Sequence, residues 1–167
     1  MGGDRNGDPA RAYRAAVARI TVSTVIDASP EEVWAAVEDV GSHVEWMADA
    51  EAIRFTSERT SGVGTTFDCE TRVGPLRLTD RMEITRWEPR RAMGVRHVGL
   101  VTGEGVFSLS PAGGRFRRRR ATRFEWSERL AFPWWMGGPV GGLVGGQVLR
   151  LVWKGNLRRL RALVEHG

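Results

Sequence analysis

Two acids and one histidine stand where the chain's alternation expects apolar side chains. Asp80 interrupts the apolar face that Leu78 and Met82 define in one strand-like run. Glu128 interrupts the apolar face of the last run, and His97 belongs to the fifth. A buried carboxyl has a raised pKa unless it is paired, and a histidine beside a carboxylate can exchange protons near neutral pH. We therefore predict Asp80, His97 and Glu128 as catalytic acid–base candidates, with structural hydrogen bonding as the alternative.

The direction of His97 is open at this level. One parity of its run places His97 with Met93 and Val95, whereas the other parity holds Val98 and Leu100. Both faces of the run are therefore apolar enough to be buried. We predict that His97 lies with Met93, on the same face as Asp80.

Other motifs for chemistry are missing from the sequence. It contains no His-x-x-x-His or Cys-x-x-Cys spacing, so no metal site is predicted. It contains no nucleotide-binding loop or nucleophile elbow, and no cofactor is expected. Cys69 is the only cysteine, which favours a small buried hydrophobe over a nucleophile and a reducing, cytoplasmic location over an exported one.

The element that begins the fold is a strand running directly into a capped helix. Ala18–Asp27 alternates between apolar and polar residues, which is typical of a half-buried antiparallel edge strand. Ser29 and Glu32 form a Ser-x-x-Glu capping box, and Pro30 suits the first helical position, where a missing N–H costs nothing. The pattern predicts a helix to Asp39, and a second short helix over 42–47.

Six further strands are predicted from alternation bounded by turn signals. They cover 51–58, 64–73, 76–88, 91–100, 103–110 and 118–131. All the connections between them are short, which favours an antiparallel meander, because a parallel crossover needs a dozen or more residues. A long final helix follows. Its predicted buried stripe is Leu143, Val144, Val148, Leu151, Val152, Leu160, Leu163 and Val164.

The order of these elements resembles the helix-grip fold of the START-like (SRPBCC) superfamily, in particular its polyketide cyclase/dehydrase-like branch. The resemblance covers about residues 17 to 165. It rests on Ala28-Ser29-Pro30-Glu31-Glu32-Val33-Trp34, on Asp39 followed by Glu45-Trp46, on Gly62-Val63-Gly64-Thr65 and on Glu88-Pro89-Arg90-Arg91. It implies an α+β fold in which a curved antiparallel sheet of about seven strands wraps around the C-terminal helix. We expect one ligand-binding domain at 17–165 behind a polar tail at 1–16.

The resemblance also implies an apolar cavity between the sheet and the last helix. Strand parity supplies candidates for its wall, and two aromatic loops border the mouth in this fold. The ligand-binding residues predicted in this way are Trp46, Met47, Phe67, Cys69, Leu78, Met82, Met93, Phe107, Trp126, Trp134, Trp135, Met136, Val144 and Val148.

Three functions are compatible with the sequence. The first is binding of a small hydrophobic molecule, lipid-like or polycyclic. The alternative is an aromatase/cyclase-type enzyme that uses cavity shape and the acid–base candidates. The third is an interaction protein that uses the basic hairpin over residues 115–120, although a net charge of +5 spread along the chain is weak support for a nucleic-acid partner. No nucleic acid and no membrane span are expected, and a homodimer is left open.

Overall fold

The computed structural model of the protein describes residues 16–112, 120–133 and 138–167. An antiparallel sheet and three helices form this part of the chain. The strands are β1 (Ala16–Ile26), β2 (Ala50–Phe55), β3 (Thr66–Val73), β4 (Leu76–Glu88), β5 (Ala92–Val98), β6 (Thr102–Pro111) and β7 (Thr122–Phe132), and the helices are α1 (Pro30–Val37), a short 3₁₀-helix (Val40–Glu45) and α2 (Gly138–His166).

Strands β2 to β7 form a meander, and β1 pairs with β7 as the edge strand on the other side. The order of the sheet is β1-β7-β6-β5-β4-β3-β2, and every neighbouring pair is antiparallel. The curved sheet wraps around α2, which confirms the predicted helix-grip architecture and its α+β class. As a result, the inward faces of β4, β5 and β7 point at the same space.

The turn from β1 into α1 is fixed by the predicted capping box. The Ser29 hydroxyl accepts a hydrogen bond from the Glu32 amide at 3.3 Å, and the Ser29 amide donates to the Glu32 carboxylate at 2.7 Å. Pro30 occupies the first turn, as predicted. Trp34 of α1 then packs edge-to-face on Trp87 of β4, with 5.3 Å between ring centroids. The capping box therefore fixes where α1 begins, and the contact of Trp34 with Trp87 holds α1 against the sheet.

The buried face of α2 differs from the predicted stripe. Trp153, Asn156, Leu157 and Leu160 are buried, whereas Leu151 is 68% exposed. Val144, Val148 and Leu163 are also exposed, so four of the eight residues of the predicted stripe are wrong. The side chain of Leu143, a fifth member of that stripe, lies outside the described part of the chain. Each residue advances a helix by about 100°, so Leu151, two positions before Trp153, lies on the opposite side of α2. The apolar spacing of α2 fitted two faces, and the packing of Trp153 selects one of them.

A polar clamp joins α2 to the segment before β2. Asn156 Nδ2 donates to Asp49 Oδ1 at 2.6 Å, and Trp153 Nε1 donates to Asp49 Oδ2 at 3.3 Å. The amide of Ala48 donates in return to Asn156 Oδ1 at 3.0 Å. Asn156 is fully buried, and these bonds satisfy both ends of its amide group. The clamp therefore fixes the helix over the open side of the sheet.

Several predicted boundaries shift by a few residues. The second helix is a 3₁₀-turn that begins earlier than predicted, because the Asp39 carboxylate accepts from the Gly41 amide at 3.0 Å and caps it there. The second strand ends at Phe55. The last strand begins at Thr122 instead of 118, where its pairing with Pro111 of β6 starts. Most of the basic hairpin, residues 115–119, lies outside the described residues.

Candidate functional site

A cavity of about 350 Å³ lies between the sheet and α2. Its wall is mainly apolar and combines side chains from the sheet with others from α2 and the 3₁₀-helix region. Members of this wall are Phe67, Leu78, Met82, Met93, Phe107 and Trp126. A mainly apolar concave space of this size is typical of a site for a small molecule.

The three acid–base candidates meet in one wall of the cavity. His97 Nδ1 lies 2.5 Å from Asp80 Oδ2, and His97 Nε2 lies 2.9 Å from Glu128 Oε2. The first contact is a hydrogen bond, whereas the second has the distance of an ion pair without the alignment of a hydrogen bond. All three residues are less than a tenth exposed. The structure thus selects the inward direction for His97 and places it between two carboxylates.

A glycine in β6 allows this arrangement. Strand β6 separates β5 from β7, so Glu128 must reach across it to contact His97. Gly105 is the residue paired with Glu128, and a Cβ atom there would lie only 2.6 Å from Glu128 Oε1. Sequence reasoning missed Gly105 as part of the site. The available signal was a glycine inside a strand, which often marks a close approach of another group.

Two stacked tryptophans connect the buried acids. The rings of Trp126 and Trp153 are nearly parallel, with 4.4 Å between centroids. Trp126 Nε1 donates to Glu128 Oε1 at 2.8 Å, while Trp153 Nε1 donates to Asp49 Oδ2. Both rings line the cavity, so the indole pair forms an aromatic wall whose polar edges are occupied by carboxylates. Trp153 was not predicted as a site residue.

The two carboxylates determine the charge of His97. Burial by itself lowers the pKa of His97, but hydrogen bonding and charge attraction from Asp80 and Glu128 outweigh burial and raise this pKa to about 10. His97 is therefore an imidazolium at neutral pH. Hereafter these three residues, Asp80, His97 and Glu128, are called the triad.

Two other reactive side chains in the wall are neutral. Burial lowers the pKa of His43 to about 4, and His43 Nε2 donates to the Val37 carbonyl at 2.7 Å. Burial raises the pKa of the Cys69 thiol to about 11, so the thiolate needed for nucleophilic attack is scarce at neutral pH. His43 lines the cavity although sequence reasoning did not select it.

The family of the chain follows from its match to a model described as "Polyketide cyclase / dehydrase and lipid transport", which covers residues 17–165. The chain belongs to this polyketide cyclase/dehydrase and lipid transport family. The resemblance inferred from the sequence is thereby confirmed. Comparison with curated protein sequences finds no match.

Solved structures share the fold of this polyketide cyclase/dehydrase family member at low sequence identity. Zhui aromatase/cyclase from a Streptomyces species is 13% identical, with a TM-score of 0.73 over 89% of this chain and 94% of that one. A START superfamily protein from Mycobacterium smegmatis is 12% identical, with a TM-score of 0.68 over 87% and 99%. The two-domain aromatase/cyclase StfQ is 15% identical, with a TM-score of 0.68 over 90% of this chain and 51% of that one. These likenesses concern the fold.

Most of the residues predicted to bind a ligand line the cavity of this family member. They are Met47, Phe67, Cys69, Leu78, Met82, Met93, Phe107, Trp126 and Val148. Trp46 does not lie at the rim, because the 3₁₀-turn directs it inward, where it is 1% exposed and packs between His43 and Trp126. Val144 is 58% exposed and does not line the cavity. Trp134, Trp135 and Met136 lie outside the described residues.

Over the described ranges, no cluster of histidine, cysteine and acidic side chains is arranged to hold a metal ion. None of the helices in those ranges combines the length and the apolar character that a membrane crossing requires.

The charge of His97 has a direct test by NMR of the histidine ring nitrogens. Between pH 6.5 and about 10, we expect a doubly protonated His97 beside a neutral His43. Because the folded pKa of His97 is raised, its contribution to stability is fully present below pH 6.5 and is lost as the pH rises to about 10. Asp80→Asn should lower the pKa of His97 towards its usual range. An unperturbed histidine, with a pKa of about 6.5, is neutral at about pH 8. A wild-type His97 that is neutral at that pH would therefore contradict this assignment.

The spacer role of Gly105 predicts the effect of one methyl group. Gly105→Ala should displace the Glu128 carboxylate, destabilise the protein by about 1–3 kcal/mol and lower the pKa of His97. Chemical denaturation and the same NMR titration measure these effects. Gly155→Ala on α2 is the control, because the added Cβ atom would meet only the Arg158 guanidinium, at 4.0 Å. This variant should gain up to ~1 kcal/mol of helix stability. Equal behaviour of the two variants would rule out the spacer role.

Proposed function

We propose that this protein binds a small, ring-bearing hydrophobic molecule in the cavity between the sheet and α2. The observation that carries the proposal is the aromatic wall formed by Trp126 and Trp153 inside an apolar cavity of about 350 Å³. Offset stacking on such a wall adds about 0.5–1.5 kcal/mol to the burial of a planar ring. A lipid chain would gain from burial alone, so the wall favours a polycyclic ligand.

The cavity has an opening between the β3–β4 hairpin and the first half of α2. Leu76 and Val148 line the cavity and are also exposed, at 45% and 41%, which marks where the cavity meets the solvent. Gly145 lies at the same edge, and a Cβ atom there would meet nothing within 4 Å. A planar molecule can therefore enter beside α2 without crossing the sheet.

Filling the cavity should weaken ligand binding while leaving the fold intact. Leu78→Trp adds bulk to the wall and should reduce the affinity for a neutral probe, anthracene with a hydroxymethyl group, by about tenfold or more. Isothermal titration calorimetry gives the affinity. The control is Thr79→Trp, which adds the same side chain to the exposed outer face of β4 and should bind like the wild type.

Two outcomes would overturn this proposal. One is the absence of saturable binding of the neutral probe by the wild-type protein. The other is equal affinity in Leu78→Trp and Thr79→Trp, which would place the bound ring outside the cavity.

The imidazolium of the triad supports a second candidate, a dehydration of cyclase/dehydrase type. In this reaction a triad carboxylate removes a proton from the carbon beside a ketone, and His97 donates its proton to a β-hydroxyl group. The C–O bond breaks, water leaves and a C=C bond forms. Asp80→Asn, His97→Ala and Glu128→Gln should each abolish the increase in ultraviolet absorbance that conjugation produces from a β-hydroxy ketone. Unchanged turnover in all three variants would exclude this candidate.

A further inference from the structure

The ionisable groups that line the cavity are predominantly acidic. They comprise three carboxylates, of Asp49, Asp80 and Glu128, two imidazoles, of His43 and His97, and the thiol of Cys69, which is neutral. In the part of the chain that the structure describes, no lysine or arginine lines the cavity, although the whole chain carries a formal net charge of +5. The inside of the cavity therefore has the opposite sign to the protein as a whole.

The triad remains anionic even with His97 protonated, because one imidazolium faces two carboxylates. His43 adds no positive charge, since its Nε2–H is committed to the Val37 carbonyl and its ring is neutral at pH 7, on the order of three pH units above its lowered pKa. This wall of the cavity therefore attracts the positively charged groups and the hydrogen-bond donors of a ligand.

Two oxygens of the triad have no hydrogen-bond donor among the described residues. One is Glu128 Oε2, which faces His97 Nε2 at 2.9 Å without the alignment of a hydrogen bond, and the other is Asp80 Oδ1. Asp80 Oδ2 is bonded to His97, but Asp80 Oδ1 is buried without a hydrogen-bond partner among the described residues. Glu128 Oε1 is satisfied by Trp126, and both oxygens of Asp49 are satisfied by Asn156 and Trp153. A buried carboxylate oxygen without a donor is costly, so a donor that reaches Asp80 recovers that energy.

We propose that the cavity selects ligands whose polar end is a hydrogen-bond donor, above all a protonated amine, over the same ring system that ends in a carboxylate. This inference rests on the proposed function and names the chemical class of its ligand. The aromatic wall of Trp126 and Trp153 holds the ring, and the Asp80 carboxylate receives the donor. An anionic ligand would instead bring a fourth carboxylate into the cavity, where His97 is the one cationic side chain among the described residues and is already shared.

A matched set of probes tests this selectivity at one pH. The probes are anthracenes that carry an aminomethyl, a hydroxymethyl or a carboxylate group at the same ring position. We expect the amine to bind about tenfold more tightly than the alcohol, and the carboxylate to bind more weakly than both. Calorimetry at fixed salt gives the three affinities.

Two variants assign the selectivity to the triad. Asp80→Asn and Glu128→Gln each preserve shape and remove one negative charge, and each should reduce the preference for the amine over the alcohol by about tenfold. The matched control is Asp68→Asn, which removes an acid from the outer face of β3, where it pairs with Arg81 at 3.2 Å. This variant should keep the full preference. Circular dichroism verifies that each protein is folded.

The results separate this inference from the proposed function. If the alcohol binds but the carboxylate binds as tightly as the amine, the cavity is a ligand site and the inference is wrong. If the amine preference persists in both Asp80→Asn and Glu128→Gln, the triad is not its source and the inference is also wrong. If no probe binds, the proposed function and the inference fail together.

Discussion

The site depends on one imidazolium held between two buried carboxylates. For His97 to contact both Asp80 and Glu128, strands β4, β5 and β7 must be in register and curved towards the same space. Glu128 must also cross β6, which requires a residue without a side chain at Gly105. Removing His97 would leave two carboxylates uncompensated in an apolar wall, and such losses are among the most destabilising in proteins. The triad is thus a structural constraint as well as a chemical feature.

The same contacts favour binding over general base catalysis. A base that works near neutral pH needs a pKa close to that range, whereas the carboxylates raise the pKa of His97 to about 10 and keep the ring protonated. Burial raises the pKa of the Cys69 thiol as well, so it is not a ready nucleophile. What the cavity offers instead is apolar volume, an aromatic wall and a fixed negative charge. These properties suit a site that binds a ligand. In a dehydration reaction, His97 could act only as an acid.

Much of the fold could be predicted from the sequence, because its signals are local. The capping box at Ser29 and Glu32 and the strand alternation required no knowledge of distant contacts, and parity alone identified Asp80 and Glu128 as inward acids. The buried face of α2 could not be predicted in this way, because its apolar residues fit two faces and only the contacts of Trp153 and Asn156 choose between them. Trp46 was misplaced for a similar reason, since its direction depends on the 3₁₀-turn. The role of Gly105 is a property of three strands together.

The most direct measurement is a crystal structure of the protein with the aminomethyl anthracene probe bound. The account predicts the ring beside Trp126 and Trp153, with the ammonium group within hydrogen-bond distance of Asp80. A ring that lies outside the cavity would contradict the binding site. A ring inside the cavity whose ammonium group points to the solvent between Leu76 and Val148 would contradict the role assigned to the triad.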